Sequence, residues 1–296
     1  MKAQGAADAQ KISAETLSKY KKLKTLLRQM GEVLVAFSGG VDSTFLLKAA
    51  QEELGEKVLA VTASSATYPK REQEQALRLA KEIDVRHKVI QTKELDNPEF
   101  AHNPPQRCYH CKKELFSKLL QIARSEGIPH VLDGSNFEDT ADFRPGLKAI
   151  EELGVRSPLK EVGLLKTEIR LLSRKLGLPT WKKPSFACLS SRFPYYSEIS
   201  AEELRKVDRA EEYLRKFGFS QFRVRHHGQT ARIEIAPEEF PDFIKKGIRE
   251  KVVRTFKKIG YIYVTLDLEG YRTGSMNEPL SAAAKKHALT SPNKNK

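Results

Sequence analysis

Val33-Leu-Val-Ala-Phe-Ser-Gly-Gly-Val-Asp-Ser-Thr44 decides the fold. A short apolar run rich in β-branched residues stops at Ser38-Gly-Gly40, and helical spacing starts again at Phe45-Leu-Leu47. The stretch therefore reads as a buried strand, a tight glycine turn and a helix N-terminus. Glycines lack a Cβ, so such a turn can reach positive φ and bring its amides close to an anion, while the helix behind adds unpaired N–H groups and a positive dipole end. A loop of this kind suits phosphate. A plain strand-to-helix turn, with Asp42 and Ser43 acting only as helix caps, is the alternative.

The loop is not a Walker A motif, since no Gly-Lys-Ser/Thr follows, and it is not the Gly-x-Gly-x-x-Gly dinucleotide fingerprint. Ser-Gly-Gly-x-Asp-Ser instead resembles the PP-loop of ATP pyrophosphatases, which split ATP between the α and β phosphates and transfer AMP to a substrate oxygen. That resemblance implies a pyrophosphate cradle of Ser38, Gly39, Gly40, Asp42 and Ser43, with ATP and Mg²⁺ as ligands. It adds Ala36, Thr62 and Gly134 as further nucleotide contacts.

Outward from the loop, the chain has 296 residues, enough for one large or two modest domains. Neither a run of about 20 apolar residues nor a charged-then-apolar leader is present, so a soluble cytoplasmic chain with no membrane partner is expected. The net charge of +14 suits polyanions, yet Lys and Arg are spread along the chain. This favours small phosphorylated ligands over a dedicated nucleic-acid arm.

In chain order, residues 14–30 predict a helix, 58–62 a strand, 72–83 a helix and 86–90 a strand, a βαβαβ rhythm. Residues 92–106 contain Asn97-Pro98 and Asn103-Pro-Pro105 and predict a loop that delivers Cys108 and Cys111 to a helix over 112–124. Residues 130–132 are a fourth strand, ending in Asp133-Gly-Ser-Asn136 at the same sheet edge as the loop. Residues 146–178 read as helical apart from Arg156-Ser-Pro-Leu159, with Thr167 as a helix cap. After Pro194 the style changes: a helix over 201–217, alternating strands over 222–226 and 231–235, a further helix, and an apolar run over 261–266. Arg223 and Arg225 alternate on the first of these strands and so face one side.

Three cysteines in a chain of this kind cannot all pair, and Cys-x-x-Cys here reads as metal or redox chemistry. Thiolates suit iron–sulfur clusters, and a two-residue gap lets Cys108 and Cys111 converge on one centre with Cys188 as a distant third ligand. A zinc site using His110 or another histidine, or three incidental buried thiols, are the alternatives.

Taken together, Asp133-Gly-Ser-Asn136, Phe143-Arg-Pro-Gly146, Arg156-Ser-Pro-Leu159, Lys166-Thr-Glu-Ile-Arg170, Leu176-Gly-Leu-Pro179, Lys183-Pro-Ser-Phe-Ala-Cys-Leu-Ser-Ser-Arg192 and Arg223-Val-Arg225 resemble the LarE-type sulfur-inserting enzymes of the nickel-pincer nucleotide pathway. That pathway makes the cofactor of lactate racemase. The resemblance implies an α/β PP-loop domain, a parallel sheet flanked by helices, over residues 1–194. A smaller α+β substrate and oligomerisation domain over 195–283 and a disordered tail over 284–296 complete the expected organisation. It also implies a homo-oligomer that adenylates the carboxylates of a pyridinium mononucleotide and converts them to thiocarboxylates.

Within that family, one branch takes sulfur from the cysteine equivalent to Cys188, leaving dehydroalanine. Cys108 and Cys111 instead match the branch in which three thiolates, here Cys108, Cys111 and Cys188, hold a [4Fe-4S] cluster and hydrosulfide is the sulfur source. The resemblance makes Cys188 and Asp42 the catalytic residues, and Arg192, Glu211, Arg223 and Arg225 the substrate contacts. A cluster-dependent tRNA thiolase and a nucleotide-binding module without chemistry are the competing readings.

Overall fold

A computed structural model describes residues 12–140, 144–184, 187–245 and 247–290. In chain order the elements are α1 (Ala14–Met30), β1 (Val33–Ala36), α2 (Val41–Leu54), β2 (Val58–Ser64), α3 (Lys70–Ile83), β3 (Arg86–Gln91), α4 (Pro98–Ala101), α5 (Arg107–Glu126) and β4 (His130–Leu132). They continue with α6 (Gly146–Glu152), α7 (Pro158–Glu161), α8 (Lys166–Lys175), α9 (Ala201–Arg215), β5 (Phe222–His227), β6 (Thr230–Ile235), α10 (Phe240–Ile244), α11 (Ile248–Ile259), β7 (Tyr263–Leu266) and α12 (Ala282–Thr290). Contacts divide the chain into two compact units that are discontinuous in sequence. The first takes Met1–Ser64, Lys70–Thr92 and Cys111–Phe186, and the second Ser65–Pro69, Lys93–His110 and Ala187–Lys296.

In the first unit the strands form a parallel sheet in the order β3-β2-β1-β4, with Val33 opposite Val58 on one side and His130 on the other. β1 and most of β2 are buried, as the unbroken apolar runs demand in a sheet covered on both faces. Because alternate side chains leave opposite faces, Val33, Val35, Val58 and Ala60 pack in a cluster with Phe45, Leu46 and Leu47 of α2 and Leu23 and Leu27 of α1. Leu34, Leu59 and Val61 pack with Phe116, Leu119 and Ala123 of α5. The chain leaves β1 with neighbours β2 and β4 running to opposite sides, so the loop after β1 lies at the point where strand order reverses.

The expected βαβαβ core and parallel sheet are present, and three local expectations change. α5 begins at Arg107, so Cys108 and Cys111 lie within its opening turns instead of before it. Backbone bonds from Arg107 N to Pro104 O and Tyr109 N to Gln106 O start the helix directly after Pro104-Pro105, where the sequence offers no capping residue of its own. Within 92–106, Asn97 accepts from Glu99 N at 2.9 Å and caps the short α4. At α8 the cap is Glu168, whose carboxylate reaches back to Leu165 N at 2.8 Å and also holds Thr16 and Lys19 of α1; Thr167 does not cap it.

The second unit carries a three-stranded sheet, β5-β6-β7, antiparallel between β5 and β6 and parallel between β6 and β7. Val224, Ile233, Val252 and Phe256 lie in its core with Ala210 and Leu214 of α9. The expected tail from residue 284 is not structureless through Thr290, because α12 spans Ala282–Thr290. Residues 291–296 lie outside the described residues. Phe143, Ser185 and Phe186 of the quoted motifs also lie outside them.

Candidate active site

The glycine loop is shaped by close approach. Gly39 has φ 67°, and a Cβ there would come within 3.2 Å of the Ala76 backbone on α3, so only glycine fits. Gly40 caps α2, whose first-turn amides lack intrahelical partners, and Ser43 Oγ donates to Gly40 O at 3.2 Å. Ser38 Oγ and Ser43 Oγ are 3.1 Å apart. Gly134, after β4, stands so near that an added Cβ would meet Ser43 N at 3.1 Å. The loop and the end of β4 thus share one rim.

Asp42 forms an ion pair with Lys166 through Oδ2, while its Oδ1 is buried with no hydrogen-bond partner among the described residues. Burial pushes the Asp42 carboxyl up, Asp139 adds to this, and Lys166 opposes it. Beside it, Lys183 donates to Gly39 O at 2.9 Å and Gln75 Oε1 at 2.7 Å and pairs with Glu72 at 2.8 Å. Arg170 fixes the backbone under it by donating to Trp181 O and Lys183 O at 2.6 and 2.8 Å. Asp133 accepts from Ser135 N and Ser157 Oγ at 2.8 and 3.0 Å and faces Lys112. Burial works to raise its carboxyl, yet Lys112 and these hydrogen bonds bring it below the ordinary value.

Ala36 ends β1, half-buried beside the loop. Thr62 is buried in β2, where its hydroxyl donates to Phe37 O at 2.8 Å and lies 2.8 Å from His87 Nε2, so it steadies the strand end.

In the second unit Cys188 precedes a short helical turn over Leu189–Arg192. Its carbonyl accepts from Ser191 Oγ at 2.8 Å and from Arg192 Nη1 at 3.1 Å. Arg192 and Glu211, expected on substrate, are instead fully buried partners of one another, Nε to Oε1 at 2.8 Å and Nη2 to Oε2 at 3.0 Å. Charges buried this deeply must be paired, and each supplies the counter-charge of the other. Arg225 is likewise committed, to Glu234 at 2.7 Å, Ser191 O at 3.0 Å and Ser275 Oγ at 3.0 Å. Arg223 is more open: it donates to Phe222 O at 2.7 Å and lies over the Tyr271 ring. Burial, then the neighbouring Arg192 charge, lowers its pKa.

Burial pushes the Cys188 thiol up, Arg107 and Arg192 pull it down, and Cys108 pushes it up again. Arg107 is buried, bonded to Asn103 Oδ1 and placed over the Tyr195 ring. Burial works against its charge, which Cys108, Cys188 and Tyr195 sustain. Cys108 and Cys111 stand one turn apart on α5, a spacing that places them on the same helix face. Among the described residues no group of three or more His, Cys, Asp or Glu is gathered as a metal site. The donor chemistry fits an iron–sulfur cluster, and within the second unit Cys108 and Cys188 both act on the Arg107 guanidinium. His110 pairs with Glu99 at 3.0 Å. No described helix is long and apolar enough to cross a membrane.

Lys166, Lys183, Asp133 and Arg107 were not singled out from the sequence. The first three stand inside the motifs quoted above and Arg107 adjoins Cys108, so motif membership was the available signal.

Comparisons with known proteins bear on the family. Residues 32–102 match the family described as queuosine biosynthesis protein QueC. An uncharacterised protein of Synechocystis is 45% identical over 89% of this chain and 98% of its own length. An uncharacterised protein of Methanocaldococcus jannaschii is 32% identical over 87% of this chain and 98% of its own. The pyridinium-3,5-bisthiocarboxylic acid mononucleotide synthase of Lactiplantibacillus plantarum is 40% identical over 88% of this chain and 94% of its own. That similarity extends over nearly the whole of both chains, and the chain belongs to the pyridinium-3,5-bisthiocarboxylic acid mononucleotide synthase family.

Proposed function

We propose that this chain is an ATP-dependent sulfurtransferase acting on pyridinium-3,5-biscarboxylic acid mononucleotide. A substrate carboxylate oxygen attacks the α-phosphorus of ATP and pyrophosphate leaves; a sulfur nucleophile then attacks the acyl carbon and AMP leaves, giving a thiocarboxylate. The second carboxylate follows the same course. The observation that carries this reading is the Ser38–Ser43 loop, closed against Gly134 and holding a buried carboxylate, in a chain 40% identical to the Lactiplantibacillus synthase.

In this reading Ser38, Gly39, Gly40 and Ser43 hold the pyrophosphate, Ala36 and Gly134 line the nucleotide, and Asp42 holds Mg²⁺ through the oxygen that has no other partner. Arg223, the more open of the β5 arginines, contacts the substrate phosphate or its second carboxylate. Arg225, Arg192 and Glu211 act one layer behind, by fixing the Ser191 and Cys188 backbone. Cys108, Cys111 and Cys188 would hold a [4Fe-4S] cluster, which when bound offers an open iron for hydrosulfide. Arg107 supplies the positive charge that thiolates at positions 108 and 188 need. The competing reading has Cys188 give up its own sulfur by breaking its Cβ–S bond, which limits each chain to one transfer.

The test is Asp42→Ala. AMP and pyrophosphate formation from ATP and the dicarboxylate should be abolished, because the metal that screens the phosphates loses its carboxylate. Adenylation at the wild-type rate in this variant would refute the assignment.

A further inference from the structure

Two lysines touch the phosphate loop, and one of them acts on the peptide bond instead of on a side chain. Lys183 reaches Gly39 O at 2.9 Å, and its ammonium is held by Gln75 and Glu72 of α3, so all three of its N–H donors have acceptors. The same helix places Ala76 against Gly39. No peptide bond among the described residues is cis, so the Gly39 carbonyl and the Gly40 N–H of this unit point in opposite directions. An ammonium fixed on the carbonyl therefore keeps the Gly40 N–H turned away from α3 and Lys183.

Glycine stands on both sides of this peptide bond. A flip that exchanged N–H for C=O would carry Gly40 from φ −78° towards positive φ, which glycine adopts without steric cost. Local sterics do not choose between the two orientations. The hydrogen bond from Gly40 N to Ser38 Oγ, at 3.4 Å, is long and holds little. The Lys183 contact is shorter, charge-assisted and anchored from behind by Arg170 on the Lys183 carbonyl.

We propose that Lys183 is a positioning residue that latches the Gly39–Gly40 peptide with its N–H facing the pyrophosphate, and that Glu72 and Gln75 hold the latch in place. This rests on the reading of the loop as the ATP phosphate site. The lysine stays on the carbonyl and polarises the peptide, which strengthens Gly40 N–H as a donor. A lysine that instead swung onto the phosphates would bind better once released from Glu72.

That contrast sets the experiment: titration of magnesium pyrophosphate and of AMP, separately, into wild type, Lys183→Ala, Lys183→Arg and Glu72→Gln. Lys183→Ala should weaken pyrophosphate by at least about tenfold, the factor a lost charge-assisted hydrogen bond carries, and leave AMP unchanged. Lys183→Arg should recover part of the loss, and Glu72→Gln should weaken pyrophosphate in the same direction by a smaller factor. The Gly40 amide proton should move downfield with pyrophosphate in wild type and not in Lys183→Ala. Unchanged pyrophosphate affinity in Lys183→Ala, equal losses for both ligands, or tighter pyrophosphate binding by Glu72→Gln would each overturn the latch. If wild type binds no pyrophosphate, the phosphate-site reading falls and the latch with it. Should Lys183→Ala fail to fold, Lys183→Arg and Glu72→Gln still decide.

Discussion

Arg192 and Glu211 form a two-pronged ion pair with both side chains withdrawn from solvent, and the remaining Arg192 nitrogen donates to the carbonyls of Ala187 and Cys188. Glu211 also accepts from the backbone N of Val224 on β5 at 3.1 Å. One buried charge pair thus ties the cysteine segment, α9 and β5 together. Its geometry satisfies most of the donors and acceptors, which is the condition for burying charge at all.

Removing one partner leaves the other charged and buried. Glu211→Gln is expected to destabilise the second unit by about 3–5 kcal/mol, measured by urea unfolding, and Arg192→Met by a comparable amount. The double replacement should cost less than the sum of the two, because no orphan charge remains. Additive losses in that cycle would show that the pair is not coupled.

The two β5 arginines, alike in sequence, should separate. Arg223→Ala is expected to weaken the pyridinium mononucleotide by about 1.5–3 kcal/mol and ATP little, since it removes a charge-assisted contact to an anion. Arg225→Ala should mainly lower stability, as Glu234 is wholly buried and loses its Arg225 contact. Calorimetric binding and thermal unfolding on both variants check this. Equal effects on both ligands from Arg223→Ala would argue for a structural role instead.

The division between these arginines marks the limit of what the sequence disclosed. Strand, glycine turn and helix over 33–47 are local signals, and β1, the loop and α2 lie where periodicity put them. The parallel sheet followed from the βαβ rhythm. Which charges pair is set by residues far apart in the chain: Asp42 with Lys166, Lys183 with Glu72, Arg192 with Glu211, Arg225 with Glu234. Nothing in the alternation of Arg223 and Arg225 tells which of them forms the buried ion pair with Glu234. The early start of α5 escaped notice for a related reason. Two prolines masked the turn that nucleates it, and no Ser, Thr or Asp announced it.

His226 offers a pH test. It is buried between Phe193, Tyr261 and Glu203, with Nδ1 3.3 Å from the Tyr261 hydroxyl and Nε2 3.3 Å from Glu203. Burial lowers its pKa, Glu203 opposes this and Lys206 reinforces it. The unfolded histidine titrates near 6.5, so below that pH the unfolded chain binds the extra proton and stability falls. His226 therefore contributes fully above about pH 6.5 and loses its contribution as pH drops through the window beneath. His226→Phe should flatten, in part, the decline of unfolding free energy between about pH 7 and 5; His87 and His227, also lowered by burial, keep the rest. An unchanged slope in that variant would exclude His226 as a contributor.

The last prediction concerns the fate of Cys188, where two chemistries demand opposite outcomes from one sulfur. If Cys188 donates its own sulfur, the Cβ–S bond breaks and each chain acts once. If Cys188 holds a cluster with Cys108 and Cys111, its sulfur is retained and the sulfur in the product comes from added sulfide. Cys108 has no part in the first scheme, yet it and Cys188 both act on the buried Arg107 guanidinium and sustain its charge. Anaerobically purified protein should accordingly contain iron. Cys108→Ala and Cys111→Ala should each lose the iron and, with it, the ability to make more than one thiocarboxylate per chain when sulfide is supplied. Arg107→Ala should reduce iron content less than either cysteine replacement, because it removes counter-charge and no ligand. Intact-mass measurement after reaction decides between the schemes. A Cys188 of unchanged mass after several turnovers is expected, and a stoichiometric loss of H₂S from iron-loaded protein, leaving dehydroalanine at position 188, would establish the sacrificial route.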